Sequence, residues 1–129
     1  MIVVDASALV AILLEEPEAG EFREFLLARP GAVLSPIGYW EAATRLRGAR
    51  GDRGVEELDV VIDRLRIGIA PVTERTTHLA CAAEKAFGKR TAARLNLGDC
   101  FAYALAREMD APLLYKGADF AATDLKSAG

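Results

Sequence analysis

Four acidic side chains occupy positions from which they could work together. Asp5 directly follows the apolar, β-branched run Ile2-Val3-Val4. Glu41 falls early in a stretch of helical spacing, Asp99 opens another, and Asp119 lies just beyond the apolar segment Leu113-Leu114-Tyr115. Carboxylates clustered by folding repel one another and rise in pKa unless a divalent cation neutralises them. With neither histidine nor cysteine among them, such hard oxygen donors point to Mg2+ or Mn2+ rather than zinc. An ion of that kind can activate water for attack on a phosphodiester and stabilise charge on phosphate oxygens. This chemistry needs no nucleophilic side chain, and the sequence supplies no obvious one.

Each acid, taken singly, also has an ordinary structural role open to it. Asp5 could cap the helix that begins near Ser7, Asp99 could serve a helix dipole from the first turn, Glu41 could be a solvated helical residue, and Asp119 could belong to a turn. Their order and the elements around them favour the joint reading.

Those elements alternate. Ile2-Val3-Val4 reads as a buried parallel strand. Helices are expected from about Ser7 to Leu14 and from Glu18 to Ala28, stopped near Pro17 and by Pro30-Gly31. Val33 to Ser35 reads as a second strand, followed by a helix from about Ile37 to Arg50. The stretch Gly48 to Gly54 reads as a turn, and Val55, Leu58, Val61, Ile62 and Leu65 then recur at helical spacing. Ile67 to Val72 is expected as a third strand, Thr76 to Phe87 and Leu97 to Met109 as helices, and Pro112 introduces a fourth strand. Strands separated by helices predict an α/β fold, with a parallel sheet of four or five strands covered on both faces. In such sheets ligands bind beyond the carboxyl ends of the strands, which is where Asp5 and Asp119 fall.

At 129 residues the chain has the size of a single domain, 1–129. Its composition is that of an ordinary folded protein. The apolar run Ala6 to Leu14 is too short to span a bilayer, and no lysine or arginine precedes it as a secretory signal would require. A cytoplasmic location without membrane attachment is therefore expected, with Cys81 and Cys100 as free thiols. The net charge of −3, from 16 basic and 19 acidic residues, does not exclude a nucleic-acid partner. Setting aside the four candidate acids leaves the rest slightly basic, and the distribution of charge matters more than its sum. Arg45, Arg47, Arg50 and Arg53 form one basic segment, and Lys89, Arg90 and Arg94 another ahead of Asp99. Either could touch RNA phosphates or simply be a solvated face.

The sequence resembles the PIN-domain ribonucleases, and within them the VapC-like toxins of type II toxin–antitoxin systems. The resemblance is carried by Met1-Ile-Val-Val-Asp5-Ala-Ser7, by Trp40-Glu41-Ala, by Leu95-Asn96-Leu-Gly98-Asp99-Cys100, and by Pro112-Leu-Leu-Tyr-Lys116-Gly-Ala-Asp119-Phe120. It implies a flavodoxin-like three-layer fold and a catalytic metal site of Asp5, Glu41, Asp99 and Asp119. Ser7 and Asn96 would hydrogen-bond those carboxylates. It further implies Mg2+ or Mn2+ as cofactor, RNA as substrate, a homodimer, and inhibition by a VapB-like antitoxin, with Arg45, Arg47 and Lys116 as candidate RNA or antitoxin contacts. Lys116 is a departure, standing where many relatives carry threonine or serine. Asp124 is near enough in sequence to be an accessory acid, although a surface role is favoured.

Other constellations carry less. Gly88-Lys89-Arg90-Thr91 lacks the earlier glycine of a phosphate-binding loop, since Ala83 stands in its place. His78, the sole histidine, lies in an alanine-rich helix, and no Gly-x-Ser-x-Gly elbow is present. Trp40 is expected in the core rather than as a stacking platform for bases. Two rival readings are a receiver-like, Mg2+-binding signalling domain and a catalytically silent binding module of the same fold. The first is disfavoured because Ala6 follows Asp5 where a second acid is needed and the third strand runs into Pro71-Val72. The second is disfavoured by the intact acids.

Overall fold

The computed structural model describes residues 1–129. The chain runs β1 (Val3–Val4), α1 (Ala6–Leu13), α2 (Ala19–Leu27), β2 (Val33–Leu34), α3 (Pro36–Arg50), α4 (Asp52–Arg64), β3 (Gly68–Ile69), α5 (Glu74–Phe87), α6 (Leu97–Glu108) and β4 (Leu113–Leu114). A 3-10 turn over Asp119–Ala122 follows. The four strands form one parallel sheet in the order β3-β2-β1-β4, as the alternation of elements predicts. A single bridge between Leu113 and Ser127 lays the tail beside β4. No helix is long and apolar enough to cross a membrane.

The period of two along the strands explains the three layers. Val4, Leu34 and Leu114 point to one face and pack with α1 to α4 through Leu9, Ile12, Leu26, Leu46 and Leu58. Val3 and Leu113 point to the other face, against Ala80, Ala83, Tyr103 and Ala106 of α5 and α6. Because both faces are covered, strands of two residues suffice, and they read as continuous apolar runs.

Two elements differ from the sequence expectation. The third strand is confined to Gly68–Ile69, and both residues are exposed. It lies at the sheet edge, where its last bond, from Ala70 N–H to the Leu34 carbonyl at 3.0 Å, is followed by Pro71, which has no N–H to continue the ladder. The turn between α3 and α4 is a single residue, Gly51, whose φ of 68° lies in the left-handed region that glycine tolerates. It ends one helix and begins the next.

The strand order places the site. β1, β2 and β3 step outward in chain order, and β4 then returns to the other side of β1. The direction of winding therefore reverses between β1 and β4, and the crevice at their carboxyl ends is the switch point where such sheets bind ligands. Asp5 N–H donates to the Leu114 carbonyl at 2.9 Å, closing the two strands immediately below that crevice.

Candidate active site

Asp5 leaves β1 with extended backbone and caps α1, accepting the Ser7 N–H on Oδ2 at 3.0 Å. It is 4% exposed. Burial pushes its carboxyl above the ordinary range; the Ser7 contacts pull it back in part, and the charge of Asp119 pushes it up again. The capping role open to this residue in the sequence is thus real, and it coexists with a place at the switch point.

Asp99 is fixed from the α6 side by reciprocal hydrogen bonds. Its N–H donates to Asn96 Oδ1 at 2.8 Å, and the Asn96 N–H donates to Asp99 Oδ2 at 3.0 Å, a capping box. It is 6% exposed. Burial raises its pKa to about 6; the Asn96 bond lowers it, the charges of Asp5 and Asp119 add to the rise, and Lys89 opposes it.

Glu41 projects from α3, whose start is set by Ser35 as cap and Pro36 in the first turn. Burial, then the charges of Asp5 and Asp99, raise its pKa to about 7, with Arg45 acting against them. The carboxylate lies against Gly98: a Cβ at that position would fall 2.6 Å from both Glu41 oxygens. Only a residue without a side chain leaves the Glu41 carboxylate room at this place on the first turn of α6, next to Asp99. Gly98 is a determinant that the acid-centred sequence reading did not single out, although it stands inside the quoted Leu97-Gly98-Asp99 motif.

Asp119 opens the 3-10 turn and is exposed. The neighbouring Phe120 anchors that turn, 2% exposed and 5.0 Å from the ring of Tyr115. Folding therefore gathers the four acids, distant in sequence, around one crevice, where their charges act on one another. No three of their side chains, nor any other three Asp, Glu, His or Cys side chains, stand close enough to form a ready-made metal-binding group. The donors fit a hard divalent cation in chemistry and in the charge they leave uncompensated, but they are not preassembled around one point.

With this arrangement in view, comparison with known proteins decides the family. The family model described as "PIN domain" matches residues 2–126. This chain belongs to the PIN-domain family. It is 40% identical to Ribonuclease VapC30 of Mycobacterium tuberculosis over 95% of each chain. It is 39% identical to Ribonuclease VapC of Mycolicibacterium smegmatis, over 95% of this chain and 96% of that one. Among solved structures, the crystal structure of Mycobacterium tuberculosis VapC20, described as a sarcin-ricin loop cleaving toxin, aligns with a TM-score of 0.80 at 17% identity, covering 97% of this chain and 96% of that one. VapBC2 from Rickettsia felis, bound to a DNA fragment from its promoter, aligns with a TM-score of 0.77 at 14% identity, covering 98% and 96%. These two share the fold.

Around the acids of this PIN domain, the supporting residues are placed as follows. The Ser7 N–H serves Asp5, while its hydroxyl accepts the Lys116 N–H at 2.9 Å. The Asn96 side chain holds the Asp99 backbone rather than the Asp99 carboxylate, because a capping box reserves the amide oxygen for the helix N–H. Arg45 is exposed and acts on Glu41. Arg47 is held by Asp52 at 3.2 Å, and Lys116 by Glu16 and Glu18 at 3.1 and 3.4 Å.

Several other side chains lie apart from the crevice chemistry. Asp124 accepts from the Tyr103 hydroxyl at 2.5 Å and lies 3.9 Å from Arg107, occupied by α6. Trp40, expected in the core, is 64% exposed. It lies on α3 away from the core residues Gly38, Ala42 and Leu46, which recur at the spacing of one helical face. His78 is exposed and pairs with Glu74 on its own helix. Cys81 is exposed, Cys100 is buried, and both are free.

Proposed function

We propose that this PIN domain is a ribonuclease of the VapC type, hydrolysing RNA phosphodiester bonds with Mg2+ or Mn2+, and that a VapB-like antitoxin holds it silent. The observation that carries the metal-dependent reading is the gathering of Asp5, Glu41, Asp99 and Asp119 at the switch point with three of their carboxyls pushed upward. The ribonuclease and toxin parts rest on relatives named ribonucleases that match nearly end to end and on the VapBC likeness. The receiver reading does not account for the pairing of Glu41 with Gly98 and Asp99, and the silent-module reading leaves four uncompensated acids in one crevice without a purpose.

Asp5, Glu41, Asp99 and Asp119 would hold the cation. When bound, it supplies an activated water and charge stabilisation at the phosphate. The chain's own contribution is placement. Asp5 and Asp99 are fixed by backbone hydrogen bonds at the amino ends of α1 and α6, where the helix dipole favours negative charge. Glu41, whose pKa is raised to about 7 by burial and by the charges of Asp5 and Asp99, is the acid that gains most from a cation neutralising the cluster. Arg45 and Lys89, felt at Glu41 and Asp99 respectively, give the acidic crevice a cationic rim able to position a phosphate backbone without reading its sequence.

A polypeptide with basic residues laid across the acids would compete with both cation and RNA, which is the chemistry expected of the antitoxin. The family resemblance also supports a homodimer, and exposed Trp40 and Leu97 at 64% and 67% leave apolar surface available for association. The deciding experiment is cleavage of single-stranded RNA by wild type and Asp99→Asn with Mn2+, with Mg2+ and with EDTA. Cleavage only by wild type, and only with a cation, supports the reading; equal cleavage by the variant or in EDTA overturns it.

A further inference from the structure

The sequence offers Lys116 as a contact to RNA or antitoxin, but its surroundings give it other work. Its ammonium lies 3.1 Å from Glu16 Oε1 and 3.4 Å from Glu18 Oε1, with about a third of each of the three side chains exposed. Glu18 Oε1 is shut off from solvent and has no hydrogen-bond partner, so Lys116 supplies the compensating charge. Both glutamates stand in the turn between α1 and α2: the carboxyl end of α1 carries no basic residue of its own, and Glu18 is the N-cap of α2 but makes no side-chain capping bond. The cation that pairs with them is brought from another element.

The element it comes from carries Asp119. From Lys116 the backbone N–H donates to Ser7 Oγ at 2.9 Å, and the Ser7 N–H donates to Asp5 Oδ2 at 3.0 Å. The segment after β4 is thus tied to α1 twice, by its backbone beside Asp5 and by its side chain at the α1–α2 turn. Asp119 itself is exposed; buried Phe120 anchors its turn on the far side, and the two ties at Lys116 hold the approach to it from β4.

We propose that Lys116 is a positioning residue: its ion pairs with Glu16 and Glu18 clamp the segment carrying Asp119 against α1 and thereby set Asp119 relative to Asp5. This rests on the metal-dependent nuclease reading for its consequence, but not for the clamp itself. Lys116 acts from behind the site and does not touch RNA.

The test compares Lys116→Met, the double variant Glu16→Gln/Glu18→Gln, and Lys116→Arg. Amide hydrogen exchange over residues 116–122 is measured without metal, Mn2+ affinity by calorimetry, and kcat, KM and the salt dependence of RNA binding on a single-stranded substrate. Lys116→Met and the double glutamine variant are expected to speed exchange and weaken Mn2+ binding by about fivefold, the scale of one or two partly exposed ion pairs. The kcat should fall in both and the salt slope of RNA binding stay unchanged, while Lys116→Arg restores wild-type behaviour.

A phosphate contact gives the opposite pattern. Lys116→Met would raise KM alone and reduce the salt slope by about one, and freeing the lysine in the double variant would tighten RNA binding. That pattern, or unchanged exchange in Lys116→Met, overturns the proposal. A wild-type protein that neither binds Mn2+ nor cuts RNA would instead sink the nuclease reading, and the exchange data would still judge the clamp.

Discussion

The two acids beside the sheet and the two at its margin are held by different means. Asp5 and Asp99 are each integrated into a helix start, with backbone N–H groups bonded to their carboxylates. Glu41 leans on a glycine of another helix, and Asp119 stands exposed on a 3-10 turn tied down through its neighbours. The first pair belongs to the local fold as much as to the site. The second pair is positioned by tertiary packing alone, so small changes in the scaffold should move it without unfolding anything.

The largest expected effect breaks the first pair chemically while sparing it structurally. Asp5→Asn and Asp99→Asn keep a side-chain oxygen able to accept the backbone N–H, since asparagine is also a good cap. RNA cleavage should fall by about a hundredfold or more, with the thermal midpoint of metal-free protein unchanged or raised. Retained activity in either variant would remove that residue from the mechanism; collapse of the fold would mean that its role is mainly structural.

Gly98→Ala probes the second pair. Its new methyl group meets the end of a flexible side chain, Glu41, so the cheapest response is for the carboxylate to swing away. Activity should drop by about tenfold to a hundredfold, the usual consequence of a displacement near 1 Å in an active site. Stability should be unchanged or slightly improved by alanine's helix propensity. Wild-type kinetics in this variant would mean that the place of Glu41 beside α6 does not matter.

A smaller effect is expected from pH on the metal-free protein. Glu41 and Asp99 have folded-state values raised to about 7 and about 6 from the ordinary 4.5 and 3.8 of free carboxyls. A raised carboxylate favours the folded state while protonated. This contribution is complete below the unfolded values and is lost as pH rises through the folded ones. The thermal midpoint in EDTA should therefore fall between pH 5 and pH 8, and Mn2+ at pH 8 should recover it; Glu41→Gln should flatten the profile. A midpoint that climbs across this range would contradict the assigned shifts.

The smallest effect concerns Trp40. A core tryptophan would cost about 3–5 kcal/mol on truncation, whereas this one is 64% exposed. Trp40→Ala should change stability by no more than about 0.5 kcal/mol in chemical denaturation of the isolated protein. A loss on the core scale would show that it packs against something.

Much of this was legible in the amino-acid order because local rules acted there. Short apolar runs gave the strands, and proline and glycine gave the stops. The Asn96–Asp99 capping box forms within four consecutive residues, so it lay within local reach, although the sequence reading treats Asn96 only as a partner of the site carboxylates. The less accurate readings concern contacts that no local pattern encodes. The third strand was overestimated because periodicity does not reveal a sheet edge, and Trp40 was placed inside because residue type does not show which helix face has a neighbour. The pairing of Lys116 with Glu16 and Glu18 is likewise invisible to local pattern, because those glutamates lie about a hundred positions away in the chain.

By itself, then, the sequence determined which elements form, that strands alternate with helices, and which four carboxylates are available, since these follow from side-chain chemistry and spacing of a few residues. Only the tertiary structure decided that the winding reverses between β1 and β4, that Gly98 admits Glu41 beside Asp99, and that Lys116 is spent on Glu16 and Glu18. Those outcomes depend on close packing and charge pairing between segments far apart in the chain, where the free energy is a property of the whole arrangement.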